Sequence, residues 1–166
     1  MDELILSPID MNFVDVPKYI PDFLSIHYSK IPNSGLGIFA NEDIQKGTYI
    51  GNYMGEIITD TKNHEMSNYC FSGRRYDNSS FFLEALDIEK SNFARYMNCC
   101  FNENVENIIV MSNRTNGENT KYINSTGKEI NIDGYIFFYA KRDIQKGEEL
   151  LYNYGPEYQE TLGIKM

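Results

Sequence analysis

Three tyrosines, one asparagine and a pair of glycines are the residues of this chain best suited to chemistry. Tyr53 lies in "GNYMGE" (Gly51–Glu56), and Tyr152 and Tyr154 lie in "GEELLYNYGPEY" (Gly147–Tyr158). Tyr152 and Tyr154 are two apart, so in a strand both face one side. Tyrosines spaced this way usually pack. Gathered with Tyr53 around a cleft, they would instead form an apolar wall carrying hydroxyls, which suits a cationic amine. Asn98, in "NFARYMNCCF" (Asn92–Phe101), offers an amide donor and an acceptor to a ligand, or it caps a short helix. In "NSGLGIFA" (Asn33–Ala40), Gly35 and Gly37 flank Leu36 and allow close backbone approach, or they make an ordinary turn. The third glycine and following helix of a dinucleotide fingerprint are missing. Cys99 and Cys100 read as small buried hydrophobes, with no neighbouring His to make either a nucleophile.

The elements that must position these residues are strands. "FLSIHY", "GIFA", "TYIGNYMGEII", "SFFLEAL", "NIIVM", "YIFFYA" and "ELLYNY" are short, aromatic and β-branched, and Gly, Asn or Asp separates them. "SNFARYMNCC" is the best short helix, with Ser91 or Asn92 as N-cap. "PEYQETLG" reads as a last helical turn stopped by Gly163. Asp133-Gly134 between two apolar alternations predicts a two-residue hairpin. Residues Ser112–Gly127 read as a long polar loop before it.

One pentapeptide, "DIQKG", occurs twice, at Asp43–Gly47 and Asp143–Gly147. Each copy follows an apolar strand end and leads into another strand. The pattern predicts a corner in which Ile44 or Ile144 plugs the core and the glycine takes a turn conformation. Nothing between the copies repeats, so a solenoid is excluded and one corner used twice remains.

Composition narrows the function. The chain has 166 residues, enough for one domain with a core, and a net charge of -9. No basic stripe for a phosphate backbone exists, so direct nucleic-acid binding is not expected. An acidic surface suits a basic partner. Cys70, Cys99, Cys100, His27 and His64 have no zinc-like spacing, and no metal is expected. No apolar run reaches the length of a membrane span. The acidic "MDELILSPIDMNFVDV" start lacks the basic region of a signal peptide. A soluble, intracellular protein is the expectation, nuclear or cytoplasmic, or in a host nucleus if the source is a virus or bacterium.

Taken in order, G-x-G, Y-x-G-E, R-Y-x-N-C and G-E-E-L-x-Y-x-Y-G resemble the SET-domain protein-lysine methyltransferases. Both "DIQKG" corners fall where that family carries its "A-x-x-D-I-x-x-G" turns. "IPNSGLGIF", "GNYMG", "RYMNCC" and "GPEYQETLG" are similar to the PR subgroup, and Cys99 follows Asn98 where the usual signature has His. The resemblance covers roughly Leu24 to Gly163.

It implies a mostly β SET fold: several short sheets, a pseudoknot and few short helices, with residues 1–20 a flank and 21–166 a single domain. It also implies S-adenosyl-L-methionine as cofactor, contacted by Ser34, Gly35 and Leu36 through backbone and by Tyr69, Asn98 and Cys99. Tyr154 is implied beside the transferring methyl, with Tyr53 and Tyr152 lining a lysine channel. Tyr152 matches the position where Phe or Tyr sets the degree of methylation, implying mono- or di-methylation. The implied substrate is a basic peptide or histone tail, met by a monomer or an oligomer of unknown order. The alternatives are a catalytically silent PR-type interaction module and a methyltransferase of a non-histone protein.

Overall fold

The computed structural model describes residues 6–10, 13–58, 69–74, 77, 79–100, 104–112, 121–124, 126–131 and 135–153. Twelve short strands carry the fold among these residues: β1 (Leu24–Tyr28), β2 (Leu36–Ala40), β3 (Tyr49–Asn52), β4 (Glu56–Ile58), β5 (Cys70–Arg74), β6 (Ser80–Glu84), β7 (Asn98–Cys99), β8 (Ile108–Ser112), β9 (Lys121–Ile123), β10 (Glu129–Asn131), β11 (Ile136–Ala140) and β12 (Leu151–Tyr152). They form five small sheets, ordered β1-β2, β9-β10, β3-β11-β8, β12-β7 and β4-β6-β5. All pairings are antiparallel except β7 with β12. This is the mostly β architecture of several short sheets that the sequence predicts.

β11 is the centre of the largest core. Its sequence "IFFYA" is buried at every position, as expected of a strand covered on both faces. Phe138 and Ile136 face a cluster with Ile38, Ile50, Met97 and Leu150. Phe137 and Tyr139 point the other way, to a smaller cluster with Val14 and Ile130. The period-two alternation of a strand makes one run of apolar residues serve two cores.

The two "DIQKG" corners meet. Ile44 and Ile144 are both buried, and each donates its N–H to the other's carbonyl at 2.8 Å. Around them the bonds are reciprocal. Lys46 N–H donates to Asp143 Oδ1 at 2.8 Å, and Lys146 N–H to Asp43 Oδ1 at 2.9 Å. Gly47 and Gly147 have φ of 87° and 93°, a conformation that resists any side chain with a Cβ.

Among the described residues before Leu24, Ser7 and Asp15 bond to β3. Ser7 N–H donates to Gly47 O, and Tyr49 N–H to Ser7 Oγ. Buried Asp15 is held by Asn52 Nδ2 at 2.9 Å, by the Tyr135 hydroxyl at 2.5 Å and by Lys128 at 3.7 Å. A buried carboxylate is tolerated only with such partners.

Local details differ from the sequence reading. β10 pairs with β9, while β11 pairs with β3 on one side and β8 on the other, so the strands flanking Asp133-Gly134 do not form a hairpin. Both edges of β11 are claimed by longer-range partners, which local turn chemistry does not reveal. The turn itself lies outside the described residues. Of the predicted loop 112–127, Lys121–Ile123 is strand and Ser112 ends β8; residues 113–120 and 125 lie outside the described residues. "SNFARYMNCC" yields a single 3-10 turn, Phe93–Tyr96, whose N-cap Asn92 accepts from Ala94 N–H. "PEYQETLG" lies outside the described residues.

Candidate active site

The segment Glu148–Tyr152 runs between two parts of the chain and joins them. On one side Glu148 O accepts from Ala40 N–H at 2.9 Å, and Leu150 N–H donates to Ile38 O at 2.8 Å. On the other, Leu151 and Tyr152 pair in parallel with Asn98 and Cys99, and Cys100 N–H donates to Tyr152 O. Asn107 locks the crossing: its amide Nδ2 donates to Glu149 O and its Oδ1 accepts from Leu151 N–H. Three stretches that the sequence keeps far apart, "NSGLG", "MNCC" and "GEELLY", are thereby placed side by side.

Asn98 is not a helix cap; Met97 occupies that position and Asn98 opens β7. Its Nδ2 donates to Leu36 O at 3.0 Å and to Glu149 Oε2 at 3.1 Å. Both amide hydrogens are thus used within the protein. Asn98 Oδ1 has no hydrogen-bond partner among the described residues, so it is the acceptor left for a ligand. Gly37 makes this approach possible, because a Cβ there would collide with the Glu149 carboxylate and crowd Asn98 Nδ2 at 3.2 Å. Gly35 has φ +66° and open space beside it, so its need is conformational. Ser34 N–H closes a turn on Ile31 O, and Leu36 is exposed.

Glu149 is the residue sequence reasoning missed. It is buried and accepts from Ser29 Oγ at 2.8 Å, Lys30 N–H at 3.1 Å and Asn98 Nδ2 at 3.1 Å. One carboxylate therefore ties the turn after β1 to β7, and Asn98 carries the link on to Leu36 O in the G-x-G stretch. Its only sequence signal is its place as the second Glu of "GEEL". Neighbouring Glu148 is different. Burial alone would raise its carboxyl pKa, but the Arg142 hydrogen bonds, Gln145 N–H and nearby Lys30 hold it below the usual carboxylate value.

The tyrosines divide. Tyr53 lies one residue past the end of β3, not within one strand as the run "TYIGNYMGEII" predicts. Its hydroxyl donates to Tyr69 O at 2.5 Å. That carbonyl also accepts from Ala85 N–H at 3.0 Å. Tyr53, Phe71, Phe138 and Tyr152 form one aromatic group: ring centroids of Tyr53 and Phe71 are 5.2 Å apart, Phe71 and Tyr152 5.5 Å, and Phe138 and Tyr152 5.3 Å. Tyr152 is only 1% exposed. β12 ends at Tyr152, and Tyr154 lies outside the described residues.

Tyr69 is half-buried under a cation. The Arg95 guanidinium stands 4.0 Å from its ring centroid and 4.9 Å from that of Tyr96, while donating to Ala85 O and Leu86 O. Arg95 was not singled out from sequence, and it fixes both the ring and the backbone on which Tyr53 rests. Cys99 is half-buried with its backbone paired to Tyr152. Beside Tyr53 opens a cleft of about 280 Å³ lined by Gly55, Phe81, Leu83 and Tyr135. Of the predicted cofactor residues, Leu36, Asn98 and Cys99 meet at the β7–β12 crossing, Tyr69 stands apart from it under Arg95, and Tyr53 and Tyr152 share the aromatic group at Phe138.

Known proteins resemble the chain. The SET domain family model matches residues 35–155. Histone-lysine N-methyltransferase set-17 of Caenorhabditis elegans is 28% identical over 139 residues, which are 84% of this chain and 43% of that protein. Human histone-lysine N-methyltransferase PRDM7 is 28% identical over 148 residues, 88% of this chain and 26% of that one. The chain therefore spans less than half the length of these relatives. Among solved structures, the methyltransferase domain of human PR domain-containing protein 2 superposes with a TM-score of 0.60 at 21% identity, covering 83% of this chain and 81% of that one. ATXR5 in complex with histone H3.1 gives 0.56 at 21% identity, covering 80% and 56%. An autoinhibited ctPRC2 bound to S-adenosylmethionine gives 0.53 at 24% identity, covering 84% and 16%.

Proposed function

The chain belongs to the SET-domain family, and on that premise we propose that it methylates a lysine side chain of a protein, drawing the methyl group from S-adenosylmethionine. The convergence of the G-x-G stretch, Asn98 and the buried tyrosine group on the β7–β12 crossing supports this reading most. The residues present fit the cofactor. Gly35 has open space beside its backbone, Asn98 Oδ1 is an open acceptor, and Leu36 is exposed beside them. Ser34, Gly35, Leu36, Tyr69, Asn98 and Cys99 would hold it, and it supplies a methyl group activated by a sulfonium charge.

What the chain must do is present a neutral amine in line with that methyl. A free lysine has a pKa of about 10.4, and bringing it near neutrality costs about 4–5 kcal/mol. Burial in an apolar channel disfavours the charged amine and does part of this work. Tyr53 and Tyr152 stand in such surroundings, packed on Phe71 and Phe138. Their role is to hold the nitrogen about 3–3.5 Å from the methyl carbon. Tyr154 is the third member by its family motif. Tyr152 crowds the channel and its hydroxyl holds a water, so the product is mono- or di-methyl-lysine. The substrate is a basic histone tail, for which the net charge of -9 and the histone-bound ATXR5 structure speak.

The test is mass spectrometry of core histones incubated with the protein and S-adenosylmethionine, with Tyr154→Phe alongside. New methyl groups on a defined lysine, lost in the variant, are expected. Their absence, together with no thermal stabilisation by the cofactor, overturns the enzyme reading and leaves a silent interaction module. Stabilisation without histone methylation moves the substrate to a non-histone protein.

A further inference from the structure

A second cleft, of about 190 Å³, lies between the N-terminal segment and β3. Asn52 lines this cleft, whereas Tyr53 lines the one beside the lysine channel. Phe13, Tyr19, Phe23, Tyr49 and Phe93 line the second cleft, together with Asp10. Phe13 and Tyr19 stack at 4.1 Å to form one wall. Its volume is below the roughly 300–1,000 Å³ of pockets for drug-sized ligands, so it fits a side chain rather than a nucleotide.

The electrostatics favour a cation. Among the described residues that line the cleft, none is Lys or Arg. Lys18, beside Tyr19 in sequence, is turned to Glu89 at 3.1 Å. Burial and then the charges of Asp10 and Asp22 raise the pKa of the Tyr19 hydroxyl, so both carboxylates act on the ring that walls the cleft. A multi-ring lining beside a carboxylate is what attracts a methylated ammonium, whose charge is spread and whose methyl groups contact rings.

We propose that this cleft binds the methylated ammonium group of a methyl-lysine side chain on a peptide, at a site separate from the lysine channel. The proposal stands whether or not the chain transfers methyl groups, because its readout is binding. A protein that both makes and holds methyl-lysine would be retained on tails that already carry the modification.

The experiment is a calorimetric titration of the full chain with Nα-acetyl-Nε-trimethyl-lysine methylamide. The controls are its neutral carbon isostere, which bears a tert-butyl end, and choline. Saturable binding of the charged probe is expected, at least about tenfold tighter than the isostere. Tyr19→Leu and Asp10→Asn should each weaken it by about threefold to thirtyfold, while Tyr19→Phe, which keeps the ring, stays within about threefold. If Tyr19→Leu fails to fold, Asp10→Asn and Tyr19→Phe carry the test. No saturable binding, equal binding of the isostere, or binding unchanged in Asp10→Asn and every folded Tyr19 variant overturns the proposal. Tighter binding of choline than of the lysine derivative overturns the assignment to a peptide.

Discussion

Ile44 and Ile144 sit in identical pentapeptides, and each donates its N–H to the other's carbonyl at 2.8 Å. The repeat is therefore a pair of matching corners, closed by Asp43 and Asp143 reaching across to the opposite Lys N–H. Ile44→Ala and Ile144→Ala should each cost about 2–5 kcal/mol, the range for emptying a buried Ile site. Because the two share one contact, the double variant should cost less than the sum. Urea unfolding of the four proteins checks this, and strict additivity would show that the corners act independently.

Gly37 and Gly35 make a second contrast. Gly37→Ala drives a Cβ into the Glu149 carboxylate and Asn98, so cofactor affinity should fall at least tenfold. Gly35→Ala meets open space but keeps a φ of +66°, so its expected effect is about 1–2 kcal/mol of stability. Titration of S-adenosylmethionine beside thermal melts separates the two. Equal cofactor affinity in both variants would remove Gly37 from the site.

Glu149→Ala leaves Ser29 Oγ, Lys30 N–H and one Asn98 hydrogen without their acceptor. These donors are only part-buried and water reaches some of them, so a stability loss of about 1–3 kcal/mol in all is expected. Glu149→Gln keeps one oxygen and should lose less. Chemical denaturation gives the order, and an Ala variant as stable as the native protein would show that this carboxylate does not hold the crossing.

Tyr152→Phe removes a hydroxyl from a position only 1% exposed and packed on Phe71 and Phe138. On the proposed reading, the water it holds is lost and the channel gains room for further methyl groups. Mass spectra of the product should shift from mono- or di-methyl towards tri-methyl-lysine. An unchanged product distribution would place the control of methylation elsewhere.

Alkaline pH should unfold the protein. Burial, then the neighbouring Tyr139, Asp10, Asp15 and Tyr19, raise the pKa of Tyr49 well above its ordinary value of 10.0. The folded state then holds a proton that the unfolded state releases. Stability is full below pH 10 and falls as pH rises above it. Melts between pH 9 and pH 11.5 should show this decline, and Tyr49→Phe should make it shallower, with Tyr135, whose pKa burial and Asp15 also raise, keeping part of it.

Local chemistry in the sequence was enough to determine much of this protein. Short strands of β-branched and aromatic residues follow from composition and turns, because a strand's preference is local. The two corners followed from their glycines and isoleucines, and the family followed from the order of four motifs. Tertiary structure decided which strands pair. Asp133-Gly134 looks like a hairpin, yet β11 is taken by β3 and β8 on its two edges, and such competition appears only once distant chain is present. Residues whose role is to bridge segments, Glu149 and Arg95, carried little signal for the same reason: a charged side chain's meaning depends on partners many residues away. Asn98 looked like a cap or a ligand group from sequence. The parallel pairing of β7 with β12 removed the first option, and Leu36 O and Glu149 took both amide hydrogens, leaving Oδ1 without a hydrogen-bond partner among the described residues. Residue types fix what chemistry is available. Only the threading of Glu148–Tyr152 between β2 and β7 brings those types within bonding distance, because the hydrogen bonds that tie it to Ser29, Asn98 and Asn107 join residues 42 to 120 positions apart.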